Sequence, residues 1–152
     1  PMNKLVAAVA VSMLLDVACQ PAPEPASLSE TEPTPVLLLN VTADPLEDPH
    51  SVTMALQLAG HGLDDGRDVV LFLNVRAVPV ATTDLPGDLS FHAEPIEALL
   101  TDLVSRGAEV HVCPHCMKAL GIPESALIDG AQVTSREALF ARLTPETNVF
   151  TY

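Results

Sequence analysis

The chain has 152 residues, enough for one ordinary domain and an extended terminus. Its net charge is −13 with only 7 Lys and Arg, which excludes the basic face that nucleic acids require and a polybasic patch for anionic lipid. Hydrophobic residues make up 48% but aromatics only 3%, with no Trp, so the core must be aliphatic. The acidity itself reads as a solvated surface, with a salt-adapted setting or a basic partner protein as the alternatives.

Residues 1–19 read as an export signal. Lys4 supplies a positive n-region and Leu5 to Leu15 an apolar h-region, too short to span a bilayer comfortably. Leu15-Asp16-Val17-Ala18-Cys19 resembles the lipobox of bacterial lipoproteins, with Asp16 where that pattern has Leu. The resemblance implies lipidation of Cys19 and a place in the periplasm or cell envelope, with the lipid as the only tie to the membrane. A soluble periplasmic protein and an unprocessed helix are the alternatives. Residues 20–34 form a tether in which Pro21, Pro23, Pro25 and Pro33 alternate with Glu24, Glu30 and Glu32, a composition that stays extended and packs no core.

The folded domain spans 35–152. Val36 to Val41 is a continuous apolar run, as in a strand buried on both faces. Asp48 caps a helix with Pro49 at its first position, Val52, Leu56, Ala59 and Leu63 make its stripe, and Gly66 ends it. Asp68 to Val75 is a second buried strand. Ala77 to Ala93 holds Pro79, Pro86 and Gly87 with little periodicity, which predicts a long loop of the kind that often acts as a lid. Pro95 opens another helix, with Ile96, Leu99, Leu100 and Leu103 on one face and Gly107 as its stop. A third strand runs from Ala108 to Val112. After the cysteine segment, Ala131 to Val133 is a fourth strand, Thr134 with Glu137 predicts a capping box for a helix carrying Leu139, Phe140 and Leu143, and Asn148 to Tyr152 is a fifth strand. Strands alternating with helices predict an α/β domain, three layers with a mostly parallel five-stranded sheet.

The chemistry concentrates in His111-Val112-Cys113-Pro114-His115-Cys116-Met117-Lys118. Cys113 falls where a strand stops and a helix starts, with Pro114 at the first helical position. A thiol there meets unpaired N–H groups and the positive end of the helix dipole, which favour thiolate, and a protonated His115 adds to this. In parallel sheets the reactive site lies beyond the carboxyl ends of the strands, where this cysteine is predicted to sit. The same region would gather Asn40, Asp44 and Asn74 from strand ends, and His92 from the long loop. His50 and His61, on the first helix, read as solvated.

Three chemistries compete. Cys-Pro-His-Cys resembles the motif of DsbA-type thiol–disulfide oxidoreductases, although that fold places the motif after an early strand with most of the domain behind it. His111, Cys113, His115, Cys116 and Met117 are ligand types suited to copper(I) or zinc, but no second pair completes a tetrahedral set, so no metal is assigned. The third chemistry is sulfur transfer through a persulfide. The helix from Pro49 to Gly66, the strand and turn from Val70 to Val78, and the element Gly107 to Cys113 closed by Gly121 together resemble the DsrE/DsrF-like family of small sulfur-relay proteins.

The resemblance covers roughly residues 35–152. It implies a domain that assembles into dimers, trimers or hexamers and exchanges sulfur with a donor or acceptor protein, without a cofactor. It implies a carrier of the sulfurtransferase kind more than a multiple-turnover enzyme. The family's sulfur-carrying cysteine matches Cys113, and Cys116 matches a second cysteine found in some members. The basic residues that precede the closing glycine are reduced to Lys118, which with His92 and Asn40 is the candidate for substrate contact.

Overall fold

The computed structural model describes residues 34–152; the expected export signal, Cys19 and nearly all of the expected tether lie outside the described residues. Strand β1 (Val36–Val41) leads into helix α1 (Pro49–Asp64), whose first turn is capped by Asp48 accepting the Ser51 N–H at 3.0 Å. β2 (Asp68–Leu73) follows, then a 3₁₀ turn (Val78–Ala81), a small hairpin of β3 (Ser90–Phe91) and β4 (Glu94–Pro95), and α2 (Ile96–Ser105). β5 (Glu109–Val112) leads directly to α3 (Pro114–Leu120). β6 (Ala131–Val133), α4 (Arg136–Ala141) and β7 (Asn148–Thr151) complete the chain.

The main sheet is parallel throughout, in the order β6-β5-β2-β1-β7. The chain winds outward from β1 through β2 and β5 to β6, then returns to the other side of β1. Because the direction of winding reverses, α1 and α2 cover one face of the sheet and α4 the other. On the first face Leu39, Leu71, Leu73, Val110 and Val112 pack against Leu56, Ile96 and Leu100, all essentially without exposure. The second face is covered more thinly, with Val36, Leu38 and Val70 meeting Phe72 and Leu139. The three-layer α/β architecture expected from the alternation of elements is therefore present. Among the described residues no helix is long and apolar enough to cross a membrane.

Four local expectations require correction. The first half of the segment from 77 to 93 is not a free lid: Ala77, Val78, Val80, Ala81 and Leu85 are buried in the core, while 86–93 stay at the surface. Its apolar residues lack helical or strand periodicity because a 3₁₀ turn and a two-residue hairpin offer too few positions to show one. β2 ends at Leu73, not Val75, since Asn74 and Val75 turn the chain away from the sheet. Pro95 is the residue before α2 and pairs with Ser90 in the hairpin, so Ile96 is the first helical residue. Ser135, not Thr134, caps α4, accepting the Ala138 N–H at 3.0 Å. Thr134 is drawn aside to His111, which outweighs its local capping preference.

Candidate functional site

The site grows from the junction of β5 and α3. The Cys113 N–H donates to the Leu73 carbonyl at 3.0 Å, carrying the β2–β5 ladder one residue beyond the strand. Cys113 stays extended (φ −69, ψ 115) and acts as the N-cap of α3, and Pro114 takes the first helical position. Gly121 ends the helix in the left-handed region at φ 70, which a side chain adopts only with strain. Buried Met117 fastens this short helix to the core.

One turn of α3 brings the two cysteines together. Both are free thiols and half-buried, and the Cys116 Sγ lies 2.8 Å from the Cys113 Sγ, donating to it. The Cys116 backbone N–H also points at the Cys113 Sγ, at 3.4 Å. Cys116 in turn accepts the Val75 N–H at 3.1 Å. Val75 has φ 54, a left-handed conformation that is strained for a β-branched residue. The turn after β2 is thus held against its own backbone preference while its amide meets a sulfur. Sequence reasoning missed Val75 because it counted it as strand. Only Asn74 signals a turn there, and no glycine marks the positive φ.

Burial pushes the Cys116 thiol up, and the hydrogen bond it donates to Cys113 and the charge there act in the same direction; the Val75 N–H opposes them without prevailing. Cys116 therefore ionises only above the range of an ordinary cysteine. Peptide mass spectrometry of singly alkylated protein is expected to find the label on Cys113, with Cys116 reacting only in more alkaline solution than a free cysteine needs. Equal first labelling of the two would show that burial does not hold the Cys116 thiol back.

Of the other candidates only His115 and Lys118 share an element with this pair. His115 and Lys118 lie exposed on α3, and Lys118 forms no ion pair among the described residues. Asn40 is engaged within the sheet, where its amide donates to the Thr151 hydroxyl at 3.2 Å and its carbonyl oxygen accepts from Asn74 at 2.6 Å. Asp44 pairs with Arg76 at 2.8 Å. His92 sits at the hairpin tip with its ring against Phe91, which stacks on His50 at 4.1 Å.

His111 leaves the cluster altogether. Val110 and Val112 face the α1–α2 core, so His111 faces the other side of the sheet, buried at 2% exposure. Its Nδ1 lies 2.8 Å from the Thr134 hydroxyl and its Nε2 3.1 Å from the Glu109 carboxylate. The soft-ligand group drawn from the sequence is thereby divided, and among the described residues no three His, Cys, Asp or Glu side chains are grouped to hold a metal ion. A hollow of about 340 Å³ between α1 and β7, lined by Leu37, Leu58, His61, Arg67 and Phe150, opens at the amino ends of the strands and carries no part of the cysteine site.

What the arrangement offers is a surface-reachable thiol at the end of a central strand with a second thiol against it. Comparisons with known proteins bear on the family and the fold. The profile described as the DsrE/DsrF-like family matches residues 37–152. An uncharacterized protein of Methanocaldococcus jannaschii, MJ0989, is 34% identical over 99 residues, covering 64% of this chain and 83% of that protein. Two crystal or solved structures share the fold: the ychN protein from E. coli, with TM-score 0.59 and 23% identity, and the protein MTH1491 from Methanobacterium thermoautotrophicum, with TM-score 0.59 and 15% identity. Each match covers 79% of this chain and 100% of the other.

Proposed function

The chain belongs to the DsrE/DsrF-like family, and from that premise we propose that it is a sulfur-trafficking protein that carries sulfur as a persulfide on Cys113. The observation that supports this most is the position of Cys113, a half-buried thiol capping α3 at the carboxyl end of β5, reachable by a donor yet backed by the core. A donor transfers sulfane sulfur to the Cys113 thiolate, and the charged terminal sulfur is then presented to an acceptor protein. Lys118, exposed in the last turn of α3, is the cation offered to an anionic donor, with His92 and Asn40 as further candidate contacts. No cofactor enters this chemistry.

The family's sulfur-relay fold goes with oligomer formation, and a homo-oligomer fits this chain. Phe140, Leu143, Val149 and Phe150, on α4, the segment after it and edge strand β7, are large apolar residues left exposed. The export-signal reading of residues 1–19 supports an extracytoplasmic site of action, in the periplasm or anchored to the envelope through Cys19.

Exposure of the protein to polysulfide or thiosulfate, followed by peptide mass spectrometry, is expected to show a sulfur adduct on Cys113, both in the native chain and in Cys116→Ser. An adduct absent from Cys113 in both overturns the carrier reading. The 2.8 Å approach of the two sulfurs favours one second reading, a thiol–disulfide oxidoreductase. That reading requires catalytic reduction or oxidation of a model peptide disulfide, abolished by Cys116→Ser. Reading the N-terminal peptide in the same spectra reports whether Cys19 is lipidated.

A further inference from the structure

We propose that the Cys113–Cys116 pair discharges its own cargo, Cys116 displacing the sulfane sulfur from Cys113 as hydrosulfide and closing a disulfide. This rests on the carrier reading and adds a release step and a redox gate to it. The geometry is already close to the product. The sulfurs stand 2.8 Å apart on one turn of α3, against about 2.05 Å in a disulfide, so small side-chain rotations suffice to close the bond. Cys116 lies against the inner sulfur, the atom that must be attacked if the terminal sulfur is to leave. Its own sulfur is held in place by the Val75 N–H, which stabilises charge developing there as its proton departs. The strained φ of 54 at Val75 is what aims that amide at the sulfur.

The step balances without any added oxidant. The Cys116 thiol passes its proton to the charged terminal sulfur, its own sulfur bonds to the Cys113 sulfur, and the bond from Cys113 to the sulfane sulfur breaks. That sulfur leaves with the electron pair as HS⁻. The Cys116 sulfur is oxidised from thiol to disulfide level, the Cys113 sulfur keeps the level it had in the persulfide, and the sulfane sulfur is reduced to sulfide. Hydrosulfide is a weaker base than a cysteine thiolate, so it is the better leaving group of the two sulfurs on either side of the breaking bond. The product has no free thiol at Cys113 and accepts no further sulfur until a dithiol reductant reopens the pair. Release and reloading are thereby coupled to dithiol supply: an acceptor that arrives promptly takes sulfane sulfur, and in its absence the cargo leaves as sulfide.

The full chain is loaded with polysulfide, freed of reagent by rapid desalting, and followed without reductant by a sulfide electrode and by peptide mass spectrometry. The native chain is expected to release one sulfide for each sulfane sulfur lost, with matching appearance of the Cys113–Cys116 disulfide. Addition of dithiothreitol is expected to restore loading. Cys116→Ser and Cys116→Ala are expected to keep the adduct on Cys113, with release slowed at least about 100-fold, the loss expected when an intramolecular nucleophile is removed. Repeating the series with Cys19→Ser removes the third thiol as an external attacker and is expected to change neither result. Equal persistence of the adduct in the native chain and the Cys116 variants overturns the discharge step and leaves the carrier reading intact. Movement of the sulfane sulfur onto Cys116 overturns it as well. Failure of Cys113 to load in the native chain and in the Cys116 variants alike overturns the carrier reading itself.

Discussion

Cys113→Ser is expected to reduce sulfur loading to the reagent blank while the domain remains folded. The two halves of this outcome have separate causes. A serine hydroxyl cannot form a persulfide, and Cys116 is a poor substitute because burial pushes its thiol up whether or not a sulfur stands at 113. The fold, by contrast, has little to lose. Position 113 is the N-cap of α3, and serine is among the preferred residues there, accepting the same Cys116 N–H. A thermal melt is therefore expected at or slightly above the native midpoint, within about 1 kcal/mol. Loading measured by mass spectrometry on protein of native melting behaviour separates chemistry from stability. A persulfide found on Cys116 of Cys113→Ser would move the carrier role to the second cysteine.

His111→Ala is expected to do the reverse, costing about 2–4 kcal/mol of stability while leaving Cys113 loading per folded molecule unchanged. The ring is 2% exposed and fills the second face of the sheet beside Phe72, its register partner on β2. It also ties β5 to the edge. The Thr134 hydroxyl lies 2.8 Å from Nδ1, and Gln132 of three-residue β6 lies 3.3 Å from Nε2. Glu109 links the ring to Arg142, which pairs with Asp68 at 2.9 Å. Truncation leaves a cavity under thin cover and loosens an edge strand with few other attachments. Urea denaturation gives the stability change, and sulfur loading in dilute buffer, where the variant is folded, gives the chemistry. Loss of loading in folded His111→Ala would return the imidazole to the active site.

These two residues stand two apart in the chain, and the sequence treats them unequally. Cys113 was legible because its surroundings are local: an apolar run, a proline at the first helical position and a glycine at the helix end each obey short-range rules. His111 looked like a member of the same cluster because proximity in sequence says nothing about which face of a strand a side chain takes. That face is set by the register against β2, which puts Val110 and Val112 toward α1 and α2. The misplaced cap of α4 has the same origin. Thr134 and Glu137 satisfy the local pattern, but the His111 ring across the strand boundary takes the threonine hydroxyl and leaves capping to Ser135.

The sequence by itself determined the alternation of strands and helices, and with it a parallel α/β domain with a cysteine at a strand-to-helix junction. It did so because apolar periodicity, proline and glycine act over a few residues. Only the tertiary structure decided that residues 77–85 of the predicted loop contribute to the core and that β7 returns to lie beside β1. It also decided that the Cys116 sulfur rests between the Cys113 sulfur and the amide of Val75, forty-one positions away. Those contacts depend on strand order, register and a backbone strain that no single residue type announces. They turn a four-residue motif into a pair of sulfurs with different surroundings.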